Sequence, residues 1–224
     1  MNDLNRVINP ATEEVIAEIP MADTAVAEAA VEKSVIAQRE WIRMSLSARR
    51  DALRAIAGTV RDHVEELALL ECRDVGKPIA EARGRDRRRR RVLRVLRRRC
   101  RQDPGRHDPG RGRRRHDLPR AARGWSPSSP PWNFPLPIAS WNIAPALAAG
   151  NSVVVKPAEL TPLSTIRFGE LVAALDLPEN LVQVVTGPGR WSEQCSRATR
   201  RSRRSASPVP RRLARLSCAR PPAR

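Results

Sequence analysis

Tyrosine is absent from the 224 residues, phenylalanine occurs twice, and aromatic side chains make up 3% of the chain. Stacking platforms for unpaired bases therefore have few places to come from. No run of 18 apolar residues appears, and the first residues carry no signal-peptide pattern, so neither membrane insertion nor secretion is expected and the expected location is cytoplasmic. The four cysteines, Cys72, Cys100, Cys195 and Cys218, show neither CxxC spacing nor a neighbouring histidine pair. A structural zinc site and a disulfide framework are not expected, and no metal ligands are assigned. A GxGxxG dinucleotide fingerprint is missing as well.

What the chain has in excess is positive charge, unevenly placed. The formal net charge of +18 would by itself suit a nucleic-acid partner. Residues 87–124 hold 17 arginines, no lysine and three acids, and residues 191–224 hold ten arginines, no lysine and one acid. The rest of the chain has 15 basic side chains against 20 acidic ones. Two blocks therefore carry all of the basicity, and the remainder has the mild acidity of a cytosolic protein.

Outside those blocks the local signals agree with one another. Residues 7–20, VINPATEEVIAEIP, alternate apolar and polar side chains around Asn9-Pro10 and predict a hairpin. Asp23 is placed to cap a helix reaching about Arg39, with Ala25, Ala29, Val31 and Val35 available for an inward face. Ser47 is placed to cap a second helix, in which Leu53, Ile56, Ala57 and Val60 recur at helical spacing. A third helix is predicted over residues 64–75, stopped by Gly76 and followed by a last turn over 79–82.

Residues 151–187 read as a βαβ unit: SVVVK at 152–156 is a buried strand and LVQVVT at 181–186 is the second. Between them Thr161 and Pro162 serve as cap and first residue of a helix to about Leu175. A strand, helix and strand in so short a span imply parallel pairing and a nucleotide-binding type of domain. The expected fold class is α/β, a partial Rossmann-like cofactor-binding domain with N-terminal helices. Its expected organisation is hairpin and helices over 1–86, an arginine-rich segment over 87–130, the βαβ part over 131–190 and a basic tail over 191–224. Both arginine-rich segments are expected to be disordered.

Residues 131–163, PWNFPLPIASWNIAPALAAGNSVVVKPAELTPL, closely resemble the aldehyde dehydrogenase superfamily, as does LVQVVTGPG at 181–189. INPATEEVIAEIP and ECRDVGKPIAEA agree with it in order and spacing. The resemblance implies oxidation of an aldehyde to a carboxylate with NAD(P)+, in which a thiolate attacks the aldehyde, hydride passes to the nicotinamide and a glutamate helps water release the acid. Asn133 of PWNFP matches the family's oxyanion-hole asparagine, a neutral donor whose loss costs about 3 kcal/mol in a working site. Trp132 beside it is grouped with the cofactor-binding residues. Lys156 and Glu159 of VVVKPAE match residues that hold the adenosine ribose hydroxyls at the carboxyl end of a strand, where ligands sit in open α/β sheets. Gly187 and Gly189 match a turn where backbone approaches the adenine end. From residue types alone, Asn133 reads as a turn residue, Lys156 and Glu159 as a solvated strand end, and the glycines as turn formers. The motif is what assigns them to a site. Asn142 stands where many relatives carry lysine and receives no role. NAD or NADP is the implied cofactor, with NAD favoured because a carboxylate at Glu159 would repel a 2′-phosphate.

The arginine blocks have their own explanation. Residues 92–112 can be encoded so that reading from each codon's second base gives CFGYFAGAADKIQGGTIPVEG, the segment the family places between GKPIAEA and PWNFP. Residues 207–220, read from the third base of each preceding codon, can give FTGSTEVGASIMRA, which the family places after TGPG. The blocks are therefore expected to be out-of-frame translation, with frame lost near Arg87, regained by about Trp132 and lost again near Arg190. On that expectation the family's cysteine nucleophile and its LELGGK glutamate lie beyond Arg224. Cys195 and Cys218, with no base or helix N-terminus beside them, do not replace the nucleophile. The 224 residues are expected to be inactive, although intact relatives take an aldehyde substrate. Oligomerisation is in doubt because the first block covers the family's arm. Half a core would leave large apolar faces uncovered, so the chain is expected to fold poorly or to aggregate. The rival reading is a basic nucleic-acid-binding protein using residues 87–123 as an arm. Trp125 and Trp191 are the only aromatics in segments 87–130 and 191–224, and no nucleic-acid motif is present, so no specific nucleic acid is expected.

Overall fold

A computed structural model of the chain describes residues 4–84 and 125–188. The expected disorder of the arginine blocks, Gly189, Cys100, Cys195 and Cys218 lie outside the described residues.

Strands Leu4–Ile8 (β1) and Val15–Pro20 (β2) pair antiparallel as the expected hairpin. Asn9 turns the chain: its Oδ1 accepts from the Ala11 amide at 3.0 Å and its carbonyl from the Glu13 amide at 2.8 Å. Helix α1, Thr24–Arg43, begins as expected at Asp23, whose Oδ1 accepts from the Val26 amide at 2.9 Å.

The inward face of α1 differs from the expected one. Ala27, Ala30, Ser34, Ala37, Gln38 and Trp41 are buried, Val31 and Val35 only partly, and Ala25 and Ala29 are exposed. The helix docks through small and polar side chains: Ser152 Oγ donates to the Ser34 carbonyl at 2.7 Å, and Gln183 Nε2 to that of Ala30 at 2.6 Å. Gln38 Nε2 and Trp41 Nε1 donate to the carbonyls of Gly150 and Leu147 at 3.1 and 2.9 Å. Hydrophobic periodicity cannot register a face built this way.

Helix α2, Leu46–Asp62, is capped by Ser45 instead of Ser47: Ser45 Oγ accepts from the Ala48 amide at 3.1 Å. Both serines suit the role, and the turn opens at the earlier one. Helix α3, Val64–Val75, stops at Gly76 as expected, and α4, Ile79–Gly84, follows. Gly76 has φ 75°, and a Cβ there would meet Pro10 Cγ at 2.6 Å. The hairpin turn and the end of α3 thus meet at a point that only glycine fits.

Strands Trp125–Ser128 (β3), Ser152–Val155 (β4) and Val182–Val184 (β5) form a parallel sheet in the order β3-β4-β5. The parallel α/β unit is therefore present but opens earlier than residue 131. Residues 125–128, assigned by sequence to the arginine-rich segment, are a strand of the sheet. WSPS carries no β-branched run, and its proline is tolerated because β3 lies at an edge of the described sheet.

Helix α5, Pro135–Ala148, crosses from β3 to β4, and α6, Leu163–Ala173, from β4 to β5. The prolines at 135, 137 and 145 mask α5 in the sequence, although Pro135 suits a first turn. The expected cap of α6 is also displaced. Pro162 occupies the cap position, and Thr161 Oγ1 donates instead to the Trp132 carbonyl at 2.8 Å.

Strand alternation sends β4 to both sides. Val153 and Val155 join Leu136, Ile143, Leu147, Phe168, Val172 and Trp41, whereas Val154 faces Ala27 and Ala30 of α1. Helix α2 packs against α5 and α6, and α3 against α6. Gly169 permits the close approach of α6 to β5, since a Cβ there would lie 2.6 Å from Val184 Cγ2.

Candidate cofactor and oxyanion site

Each described residue assigned by sequence follows the carboxyl end of a parallel strand. Trp132 and Asn133 follow β3, Lys156 and Glu159 follow β4, and Gly187 follows β5. Direct bonds hold the three strand ends in line. The Lys156 amide donates to the Ser128 carbonyl at 2.8 Å, and the Val185 amide to that of Val155 at 2.9 Å. In a parallel sheet this edge is where ligands bind.

The Lys156 side chain is buried even though it ends in an ammonium. Its Nζ donates to the Pro157 carbonyl at 3.0 Å and lies 3.7 Å from Glu159 Oε1, beyond hydrogen-bond length. An ammonium has three protons to donate, and burial makes each unmet donor costly. Glu159 is exposed, while its backbone carbonyl is fixed by Asn5 Nδ2 at 2.6 Å. A buried cation with a partly free carboxylate beside it suits a neutral diol: the cation donates to one hydroxyl and the carboxylate accepts from another. Gly187 is buried beyond β5, and Thr186 just before it is anchored to the hairpin, its hydroxyl donating to the Pro20 carbonyl at 2.8 Å.

Trp132 is 55% exposed, and Asn133 is exposed in the turn that leads into α5. The Asn133 amide engages no other side chain or backbone group among the described residues. Its neighbours on both sides are held: Trp132 through Thr161, and Phe134 by the ammonium of Lys77, 5.5 Å from its ring centroid.

Sequence reasoning missed a buried charged group at the end of α3. Lys77 Nζ lies 2.7 Å from Glu71 Oε2, with the two side chains 8% and 1% exposed. Asp74 Oδ2 accepts from the Leu163 amide at 3.0 Å, at the start of α6. Burial pushes the Asp74 carboxyl up to about 7, against the pull of the Leu163 bond. The signal was present, since Leu67, Glu71 and Asp74 share one face of α3 at spacings of four and three and that face is buried.

Cys72 is the one cysteine among the described residues, and burial raises its thiol pKa, so it lacks the thiolate character a nucleophile needs. No group of three His, Cys, Asp or Glu side chains placed to hold a metal occurs among the described residues, and none of their helices is long and apolar enough to cross a membrane.

The sequence profile of the aldehyde dehydrogenase family matches residues 2–200. The 3,6-anhydro-alpha-L-galactose dehydrogenase of Streptomyces coelicolor is 36% identical over 192 residues, covering 82% of this chain and 37% of that protein. The betaine aldehyde dehydrogenase of Vibrio vulnificus is 37% identical over 189 residues, covering 82% and 38%. Among solved structures, a betaine aldehyde dehydrogenase from Staphylococcus aureus in complex with NAD+ is 32% identical with a TM-score of 0.73, covering 84% of this chain and 38% of that one. The chain thus spans well under half the length of the relatives it matches. Nothing in these likenesses supports a nucleic-acid binder. A parallel sheet with its strand ends dressed in PWNF, VVVKPAE and VVTG, matched along most of its sequence, places the chain in the aldehyde dehydrogenase family.

Proposed function

We propose that the chain is the cofactor-binding part of an NAD(P)-dependent aldehyde dehydrogenase, a cytoplasmic enzyme that by descent oxidises an aldehyde to a carboxylate. The observation that carries this reading is the buried Lys156 ammonium, 3.7 Å from Glu159 at the carboxyl end of β4. Lys156 donates to one adenosine ribose hydroxyl and Glu159 accepts from another. Gly187, with Gly189 beyond it, lets backbone approach the adenine end. Trp132 borders the same edge. Asn133 offers its amide to an oxyanion. When bound, NAD(P)+ supplies the hydride acceptor.

NAD is the favoured cofactor, because Glu159 would repel a 2′-phosphate. In this reading the 224 residues taken alone bind dinucleotide without turning over aldehyde, because no residue of the sequence matches the family's cysteine nucleophile and burial raises the pKa of the Cys72 thiol. In the same reading, residues 87–130 and 191–224 are out-of-frame translation. The nucleotide sequence from codon 80 onward tests that: a single coding frame with no family remnant beneath the arginines would refute it.

Calorimetric titration of the 224-residue chain tests the binding role. NAD+ is expected to bind more tightly than NADP+, Glu159→Gln to narrow the gap, and Lys156→Ala to weaken both by about tenfold or more, the weight of a charge-assisted hydrogen bond. An unchanged NAD+ affinity in Lys156→Ala would remove the reading's support.

A further inference from the structure

We infer that the buried pair Glu71–Lys77, together with Asp74, is a positioning device for the turn that presents Asn133. Asn133 is exposed, and its own side chain holds nothing among the described residues, so its placement depends on its neighbours. Phe134 on one side lies under the Lys77 ammonium at 5.5 Å. Trp132 on the other has its carbonyl bound by Thr161 Oγ1 at 2.8 Å. Thr161 stands two residues before Leu163, whose amide is held by Asp74 Oδ2 at 3.0 Å. Both flanks of Asn133 therefore trace back to one turn of chain at the end of α3.

The device is rigid for reasons on its own element. Lys77 is fixed by Glu71 at 2.7 Å with both side chains buried, so swinging the ammonium away would break a charge-assisted bond where water cannot replace it. Gly76 sets the direction in which the chain leaves α3, at φ 75° and packed against Pro10. Arg167 of α6 pairs with Glu66 of α3, which keeps α6 in place on the same side. A donor that must meet charge developing in a transition state works best when it is already in position, which gives such a scaffold a use beyond folding.

The catalytic consequence rests on the proposed oxyanion role of Asn133, but the positioning itself is measurable without any ligand. Backbone 15N relaxation on the 224-residue chain reads it directly. Order parameters at Trp132, Asn133 and Phe134 are expected near 0.85 in the parent and below about 0.6 in Lys77→Met, while the amides of β4 stay rigid. Lys77→Arg, which keeps a cation over the ring, is expected to retain order in the turn.

Two further variants separate positioning from general destabilisation. Glu71→Gln combined with Lys77→Met removes both charges, so resistance to urea is expected to recover while the turn stays loose. Phe134→Leu leaves the buried pair intact and removes its aromatic partner; it too is expected to loosen the turn. Order parameters that return to about 0.85 along with stability in the double variant, or that stay there in Phe134→Leu, would overturn the inference. Such a result would leave the NAD+ titration untouched, so the two readings fail separately.

Discussion

Asp74 makes the chain's stability depend on pH in a direction opposite to that of most carboxylates. Its side chain is 4% exposed, with Oδ2 on the Leu163 amide and Oδ1 without a partner among the described residues. Burial is the largest influence and raises its pKa from the usual 3.8 to about 7; Glu71 raises it further, and Lys77 and the Leu163 bond pull it down. Because the folded pKa lies above the unfolded one, the unfolded chain releases this proton first as pH rises. The contribution is fully present below about pH 4, declines as pH rises toward 7 and is gone above it. A rise of about three units at 1.36 kcal/mol each makes the whole effect about 4 kcal/mol. Asp74→Asn cannot ionise, yet its amide oxygen can still accept from Leu163. Urea unfolding followed by circular dichroism, on parent and variant from pH 4 to pH 8, measures the difference. The variant's advantage is expected to grow with pH, reaching about 1–3 kcal/mol at pH 8 once the cost of burying a new amide NH2 is subtracted. A stability difference that is constant from pH 4 to pH 8 would refute the reasoning, because it would mean that Asp74 has the same pKa folded and unfolded.

Gly76→Ala is expected to cost about 1–3 kcal/mol in urea unfolding, since alanine must adopt φ 75° and its Cβ must displace Pro10; a loss below about 0.5 kcal/mol would mean that the hairpin turn yields freely. Trp41→Phe is expected to lose about 1–3 kcal/mol, because it opens space in the core beside Leu147 and removes the indole donor from a carbonyl that keeps the Gly150 amide at 2.9 Å. Thermal unfolding of parent and Trp41→Phe side by side checks this, and equal midpoints would refute it, because neither the space nor the lost indole bond would then carry weight.

The sequence showed best what is decided locally. Asp23 as a cap, Gly76 as a stop, Asn9-Pro10 as a turn and the valine run of β4 each follow from a few adjacent residues, and each stands in the structure. The strand-end residues Trp132, Asn133, Lys156, Glu159 and Gly187 were found through a long motif, because an isolated lysine or asparagine does not reveal that three strand ends will line up. What escaped was decided by distant partners. Thr161 looks like a helix cap until the carbonyl of Trp132, 29 positions earlier, is brought within reach of its hydroxyl. The inner face of α1 is set by carbonyl and hydroxyl groups more than a hundred residues away, so its alanines and serine carry no apolar signal. β3 is held by the backbone of β4 and needs nothing distinctive in WSPS. The charges of ECRDVGKP combine the two cases. The motif was legible as a resemblance, but the reason for its acids and lysine is the approach of Phe134 and Leu163 from the other half of the described chain. A charged residue on the buried face of a helix is a local contradiction, and such contradictions gather where function or fixed geometry requires them. The end of α3 is therefore part of what holds the turn between β3 and α5.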